Sequence, residues 1–204
     1  VAGIKAYEWA GFSRKNAIWY GGMTGSIFLT VIEVLDGTSE QWGASSGDLI
    51  ANTTGSLLAI GQALKWNEQR IQLKYSYSPS NMAAKNPEQL GSNHLERALK
   101  DYNGQTYWLT LNLKSLLQIE NPDFPSWLSL ALGYGADEMV NPYHEEGDAE
   151  RYRQFLMSFD VDLNKIKTKN KTLNSVLHTF GFLKFPTPAI QYTNGNIFFH
   201  PIYY

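Results

Sequence analysis

The sequence predicts an α+β protein in which an N-terminal, glycine-rich helical hairpin precedes an antiparallel meander of about six strands. Two observations lead to this prediction. Two long apolar segments of helical length stand before Trp66, and after Trp66 the apolar residues recur at every second position. Residues 1–66 are therefore a predicted helical region and residues 67–204 a predicted β region, and we expect the two to form one structural unit.

Two apolar segments on either side of a Trp-Gly loop predict the hairpin. The first, residues 17–32, carries no charge and is a little shorter than the ~20 residues that cross a bilayer. We expect residues 17–36 and 47–66 to pack as antiparallel helices, either in a protein interior or in a membrane. Small residues four positions apart let helices approach closely, and each segment has such a pair: Gly21 with Gly25, and Gly55 with Ala59.

Polar residues at the facing ends of these helices are the candidate functional site. Acidic groups beside long apolar runs are costly unless they are paired or hydrogen-bonded. Glu33 and Asp36 share one helix face, and Ser45 precedes Asp48 by the three residues of a capping box. The catalytic candidates are Glu33, Asp36, Asp48 and Asn52, and Trp42 and Ser45 join them in a predicted structural polar cluster.

A structural role is the preferred interpretation of this cluster. Asp48 suits the first turn of a helix, where the macrodipole favours a negative charge. Glu33 and Asp36 end a helix, where the dipole disfavours them, so they need partners such as Arg14, Lys15 or the backbone amides of residues 38–46. The four histidines lie in separate segments without metal-ligand spacing. We therefore expect no metal and no cofactor.

Alternation of apolar and polar residues predicts the strands. The clearest is 153–163, where the apolar residues from Phe155 through Phe159 to Leu163 face one side, and Asp160 and Asp162 face an opposite, wetter side. Asn194-Gly195 predicts a tight hairpin turn. The remaining strands are predicted at 70–78, 105–113, 127–135, 190–193 and 197–204, with a helix inserted near 171–183.

Two arrangements of this sheet are compatible with the pattern. The apolar faces contact lipid in a membrane-embedded barrel or partial barrel, or they pack on the helices of a soluble α+β domain. The aromatic content of 14%, with 12 Tyr, 10 Phe and 6 Trp, fits membrane-interface belts and large soluble cores alike. The sequence leaves both arrangements open.

The run EVLDGTSEQWGASSGDLIANTTG at 33–55 resembles the core of the YfiM-like family of predicted outer-membrane or periplasmic (lipo)proteins, catalogued as a domain of unknown function. That core has an acidic pair, a Gly-Ser segment, Asp-Leu, a small polar residue and Gly. The longer, Bacteroidota-type version is similar beyond the core, at KNAIWYGG (15–22), WNEQRIQLK (66–74), LKDYNGQTYWL (99–109) and FHPIYY (199–204). A more distant likeness links Glu33, Asp48, Asn52 and Gly55 to VanZ-like membrane proteins.

One feature of the YfiM-like family is missing from this chain. Its members carry an Asp-Lys-x-x-His segment on a helix before the core, and residues 1–20 contain no such motif. Because the sequence begins with Val1 rather than Met, we expect a processed or partial chain that shows only part of any site completed by that histidine.

The resemblance implies a location in the cell envelope, at the outer membrane or its periplasmic face. We expect a structural or accessory subunit of an envelope assembly or secretion complex, with membrane lipid and other outer-membrane proteins as partners. The alternative is a membrane-embedded enzyme that acts on lipid or cell-wall precursors through the acidic cluster. The net charge of -2 and the pI near 6.1 give no reason to expect nucleic acid as a partner.

Overall fold

The computed structural model describes residues 2–38, 45–141 and 149–204, without the side chain of Asp36. The chain divides into two compact units, Val1–Gln69 and Arg70–Tyr204. The first unit is helical, and the second is built on one antiparallel sheet. The predicted α+β class, with a helical hairpin before a six-stranded meander, is confirmed. The prediction that both regions form one structural unit stays a prediction.

Three helices form the first unit: α1 (Ala2–Trp9), α2 (Arg14–Asp36) and α3 (Ser46–Trp66). Ser13 caps α2, since its side chain accepts a hydrogen bond from the amide of Asn16. Asn67 ends α3 in a left-handed conformation, with φ of 57°. Both helices have roughly the predicted bounds, and α2 begins three residues before the predicted 17–36 because Ser13 sets its start.

Glycine contacts among these helices differ from the prediction. A Cβ on Gly21 would overlap the backbone of Ile4 in α1, and one on Gly22 would overlap the side chain of Ile60 in α3. Gly25 and Gly55 have no neighbouring atom within 4 Å of such a Cβ. The predicted close approach of another helix is confirmed at Gly21, where the neighbour is α1. Gly25 and Gly55 make no such contact, and α3 approaches α2 one position later, at Gly22.

This difference makes a matched pair of substitutions informative. We expect Gly21→Ala to destabilise the helical unit by about 1–3 kcal/mol, since the new methyl group overlaps packed backbone. Gly25→Ala adds the same methyl group to open space and should stabilise the helix by about 0.5–1 kcal/mol. Urea unfolding in detergent measures both changes, and equal effects of the two substitutions would contradict the assigned α1–α2 contact.

Six strands form the second unit in the order β1-β2-β3-β4-β5-β6, each antiparallel to its neighbours. They are β1 (Ile71–Tyr77), β2 (Gln105–Asn112), β3 (Leu128–Asp137), β4 (Tyr152–Val161), β5 (Thr187–Thr193) and β6 (Asn196–Tyr203). The described parts of the connections contain four short α-helices: α4 (Pro87–Leu90), α5 (His94–Lys100), α6 (Leu113–Leu116) and α7 (Lys171–Thr179). The inserted helix, predicted to reach residue 183, ends at Thr179.

The sheet is not closed into a barrel, so the prediction of a full barrel is wrong. β1 and β6 are its two edges. The edge of β1 already has partners, since the amide of Tyr75 donates to the carbonyl of Phe182, and the amide of Lys184 donates to the carbonyl of Tyr75. These bonds form a short parallel bridge between Tyr75 and Leu183. Because residues 182–184 occupy that edge, β6 does not pair with β1.

Candidate functional site

The strand register places apolar side chains in continuous rows across one face of the sheet, which we call the outer face. One row is mostly aromatic and the next is mostly aliphatic. The aromatic row comprises Tyr75, Tyr107, Tyr134, Phe155, Tyr192 and Ile197. The aliphatic row comprises Leu73, Leu109, Leu132, Met157, Ile190 and Phe199. A third row adds Leu111, Leu130 and Phe159.

Exposure along β4 alternates, with the apolar side chains of the outer face exposed and the side chains between them buried. On the outer face Phe155, Met157 and Phe159 are 50%, 49% and 55% exposed, whereas Asp160 on the inner face is fully buried. The predicted apolar face, which was expected to reach Leu163, has the expected alternation from Phe155 to Phe159. Leu163 lies beyond the end of β4, so the prediction is wrong there. The prediction that Asp160 and Asp162 face a wetter side is wrong, since both side chains are buried.

A small apolar cluster and many polar groups fill the inner face. Trp108 packs with Ala131, Leu156 and Ala189. Its indole N–H donates to the hydroxyl of Ser76 at 2.9 Å. Other buried polar side chains on the strands are Thr106, Thr110, Asn112, Ser129, Gln154, Ser158, Gln191 and Thr193. Polar groups stay buried in a protein when they satisfy one another, so this face is a hydrogen-bonded interior.

A buried ion pair crosses this interior from β1 to β4. The ammonium of Lys74 lies 2.6 Å from Asp160 Oδ2, and neither side chain is exposed. Lys74 also donates to the carbonyl of Val161 at 3.0 Å, and the amide of Phe185 donates to Asp160 Oδ1 at 2.8 Å. Within the described part of the chain, Asp160 Oδ2 has no aligned hydrogen bond. Its negative charge is therefore balanced by the nearby ammonium group.

A second buried lysine lies beside this pair in the connection from β4 to β5. Lys184 sits over the ring of Trp108, with Nζ 4.6 Å from the ring centroid, and donates to the Thr187 hydroxyl at 2.8 Å. Burial lowers the pKa of Lys184 to about 8, Lys74 adds to the effect, and Asp160 opposes it. The interior thus holds two amines around one carboxylate.

The lowered pKa of Lys184 predicts a pH dependence. Between about pH 8 and the usual lysine value of 10.5 the unfolded chain binds more protons than the folded one, so stability rises with pH across this window. Below pH 8 Lys184 is charged in both the folded and the unfolded chain, so burial of its ammonium group lowers the folding stability by its full amount. Denaturant unfolding measured across this pH window should show a smaller rise in stability with pH for Lys184→Met than for the unaltered protein. An identical pH profile for both would contradict this assignment.

The candidate residues of the helical unit form a capping arrangement. Glu33 Oε2 accepts the backbone amide of Ser45 at 3.0 Å, and the Ser45 hydroxyl accepts the amide of Asp48 at 3.2 Å. Arg14, one of the partners proposed for the acidic pair, contacts Glu8 and Asn67 instead. Glu33 therefore ties the end of α2 to the start of α3.

The other candidate residues are not brought into one site by described contacts. Asp48 is exposed and Asn52 is half-buried, and within the described residues neither side chain forms a hydrogen bond. Trp42 and the Asp36 side chain lie outside the described residues. No group of three His, Asp or Glu side chains with metal-binding geometry occurs in the described ranges. Catalytic roles for Glu33, Asp36, Asp48 and Asn52 stay predictions.

The capping geometry predicts a graded response to substitution. Glu33→Ala should cost about 1.5–3 kcal/mol, the contribution of a hydrogen bond to a charged group. Ser45→Ala should cost about 1 kcal/mol as a lost cap. Asp48→Asn should cost only about 0.3–1 kcal/mol, the macrodipole effect at an exposed site. Urea unfolding measures this order, and a larger effect of Asp48→Asn than of Glu33→Ala would contradict it.

One helix among the described residues is long and apolar enough to cross a membrane. Arg14–Leu35 spans 22 residues with a mean hydropathy of 1.4, and little of it is buried. Signal sequences and core helices of soluble proteins have the same length and composition. The length and composition of this helix are compatible with a membrane location and do not by themselves distinguish it from a signal sequence or a soluble core helix.

No family model, curated protein or solved structure matches this chain. Lys74 and Lys184 are buried charges that were not predicted. The alternation of β1 indicates Lys74, because it places the Lys74 side chain on the face of the sheet that Leu73 and Tyr75 do not share. Lys184 stands outside any alternating run, and no local pattern indicates its burial. The sheet thus combines a buried polar face with an exposed apolar face.

Proposed function

We propose that this chain is an envelope protein whose sheet lies in the outer membrane, where it serves as a structural or accessory subunit of an assembly or secretion complex. The observation that carries the proposal is the inverted sheet, in which polar side chains are buried and rows of apolar side chains are exposed. Membrane-embedded β-sheets place apolar residues toward lipid and polar residues inside. The resemblance to the YfiM-like family supports the same location.

Dimensions of the apolar face fit a bilayer. Tyr134, in the aromatic row, stands seven residues after Trp127, which is exposed at the other end of β3. A transmembrane β-strand has about 9–11 residues and is tilted by roughly 45°, and the central strands β3 (Leu128–Asp137) and β4 (Tyr152–Val161) have ten residues each. Both strands are therefore long enough to cross the apolar core of a bilayer, with Trp127 at the end of the sheet near one interface.

The free edge of β6 supports the role of a subunit. A lipid-exposed sheet edge leaves backbone groups without hydrogen-bond partners, which a bilayer does not tolerate. Soluble proteins often protect such edges with lysine or proline. Residues 196–204 contain no lysine and no acidic residue, and their one proline, Pro201, lies near the end of β6, so residues 196–200 lack both kinds of protection. Ile197, Phe199 and Ile202 are all well exposed there. We propose that a neighbouring outer-membrane protein supplies a strand that pairs with β6.

Fractionation of the cell envelope tests the location. We expect the protein to sediment with the outer membrane and to resist washing with carbonate and high salt, because the rows of the outer face hold it in lipid. Recovery in the soluble fraction without detergent would contradict the membrane location. An outer-membrane lipoprotein and a periplasmic protein, followed in the same fractions, serve as controls.

A photo-crosslinking residue tests the partner. At Phe199 on the edge strand β6 it should capture one discrete protein, whereas at Met157, in the same row but on the central strand β4, it should capture only lipid. Failure of Phe199 to capture any protein, with the protein correctly inserted, would contradict the subunit role and leave the membrane location intact.

A further inference from the structure

Charge is distributed unevenly between the two ends of the sheet. The connection from β4 to β5 contains four lysines at alternating positions, Lys165, Lys167, Lys169 and Lys171, and no acidic residue occurs in 163–204. We call residues 165–171 the basic segment. By contrast, the β3–β4 connection at the opposite end is acidic, with Glu138, Glu145, Glu146, Asp148 and Glu150.

The basic segment lies at the end of the sheet marked by Trp127. It begins four residues after the end of β4. At that strand end the amide of Asp162 donates to the carbonyl of Trp127 at 2.8 Å. The β2–β3 connection lies at the same end, and its charged residues are Lys114, Glu120 and Asp123. Positive charge therefore predominates there, at the level where the proposed function places a membrane interface.

Local hydrogen bonds fix the basic segment and point its lysines outward. The side chain of Asn174 in α7 bonds both the amide and the carbonyl of Thr168, at 2.9 Å each. Thr168 is half-buried, whereas Lys167 and Lys169 on either side of it are exposed. Within the described residues neither of these two ammonium groups has a carboxylate partner. Their charge is available to an external anion.

The helix that follows presents an apolar side beside these charges. Leu173, Val176 and Phe180 recur at helical spacing along α7 and its cap, and all three are nearly half exposed. Lys171 begins α7, and Lys165, Lys167 and Lys169 precede it. Exposed apolar side chains together with lysines are features of segments that lie in a membrane interface. A soluble polyanion would use the lysines and leave these apolar residues in water.

From these contacts we infer that the basic segment and α7 form a binding surface for anionic phospholipid at the membrane interface on the Trp127 side. Lys167, Lys169 and Lys171 attract the phosphate headgroups, and Leu173, Val176 and Phe180 enter the region of the acyl chains. The inference rests on the proposed function for the position of the interface, and it adds the class of lipid and the residues that recognise it.

The test uses the full chain in detergent, with dansyl-labelled phosphatidylglycerol and phosphatidylcholine as probes and energy transfer from tryptophan as the readout. We expect tighter binding of the anionic lipid at low salt and loss of this preference at high salt. A lysine near a charged surface contributes about fivefold in affinity. Lys167→Gln with Lys169→Gln should therefore weaken phosphatidylglycerol binding by roughly 25-fold.

Two pairs of substitutions separate the roles of charge and of apolar contact in lipid binding. Lys85→Gln with Lys100→Gln removes the same charge from exposed sites in the β1–β2 connection and should leave the preference unchanged. Leu173→Ser with Val176→Ser should weaken lipid binding. If inorganic phosphate competes fully and the serine variant binds lipid normally, the partner is a soluble phosphate compound and the inference is overturned.

Insertion is measured separately, by flotation of the protein with vesicles of phosphatidylcholine alone after a carbonate wash. Insertion without any preference for phosphatidylglycerol would overturn this inference and leave the proposed function standing. Binding to phosphatidylglycerol vesicles without carbonate-resistant insertion would overturn the proposed function and support the surface. The two failures are thus distinguishable.

Discussion

Phe159→Arg should destabilise the protein in bilayers by about 2–4 kcal/mol, the cost of an arginine near the middle of the membrane on a lipid-facing strand. Phe159 pairs with Leu130, midway between Trp127 and Tyr134 on the neighbouring strand. In water the same substitution at a half-exposed site should change stability by less than about 0.5 kcal/mol. Denaturant unfolding from vesicles measures the effect.

Phe155→Arg is the matched control, because Phe155 belongs to the aromatic row on the same strand. Near the interface an arginine costs only about 0–1 kcal/mol. The expected gradient from Phe155 to Phe159 reports depth in the membrane rather than a general intolerance of charge on β4. Equal and small costs at both positions would show that the outer face contacts water.

Asp160→Asn should destabilise the fold by about 3–5 kcal/mol, the usual cost of removing one partner from a buried ion pair. The substitution leaves the ammonium groups of Lys74 and Lys184 buried without a countercharge. Asparagine keeps an oxygen for the amide of Phe185, so the loss reports charge rather than a missing acceptor. Unfolding in urea, followed by tryptophan fluorescence, gives the change in free energy.

A second substitution should recover part of that loss. Lys74→Met in the Asp160→Asn background removes one of the uncompensated charges, so the double variant should be more stable than Asp160→Asn alone. Replacement of a buried pair by apolar residues is often close to neutral. A double variant whose loss equals the sum of the two single losses would contradict direct coupling across the interior.

Local patterns were sufficient to predict the elements of the fold. Alternation located β1 to β4 within about two residues, and the Asn194-Gly195 turn located the β5–β6 hairpin. Ser13 and Ser45 marked the starts of α2 and α3 through their capping hydrogen bonds. These features depend on residues close in sequence, and for this reason a single sequence reveals them.

Features that depend on distant residues could not be predicted. Whether β6 closes onto β1 is decided by residues 182–184, which take the edge of β1, and no local pattern indicates that bridge. The alternation around Asp160 showed that its side chain faces away from Phe159. It did not show that Lys74 of β1, distant in sequence, lies against the Asp160 carboxylate and that both side chains are buried. Gly21 and Gly25 belong to the same small-residue pattern in the sequence. Gly21 is a contact and Gly25 is not, because α1 lies against α2 at Gly21 and not at Gly25.

In the candidate site, too, features set by nearby residues could be predicted and features set by distant residues could not. The polar stretch from Glu33 to Asp48 attracted attention because its charges adjoin apolar runs, and the contact between Glu33 and Ser45 gives one of these charges a structural partner. The basic segment around Lys167 and Lys169 was overlooked, because the overall charge of the chain is close to neutral and the lysines alternate with uncharged residues. Its significance depends on its place at the end of the sheet.

Accessibility of a spin label tests the central claim, that the outer face of the sheet contacts lipid. The chain contains no cysteine, so Met157→Cys gives a single labelling site, and Asn194→Cys in the β5–β6 turn gives a control at the aqueous end. In vesicles, the label at position 157 should be relaxed by oxygen and protected from a water-soluble nickel complex, and the label at 194 should show the reverse. Relaxation of the label at 157 by the nickel complex, or its protection from both reagents in a folded protein, would contradict the claim.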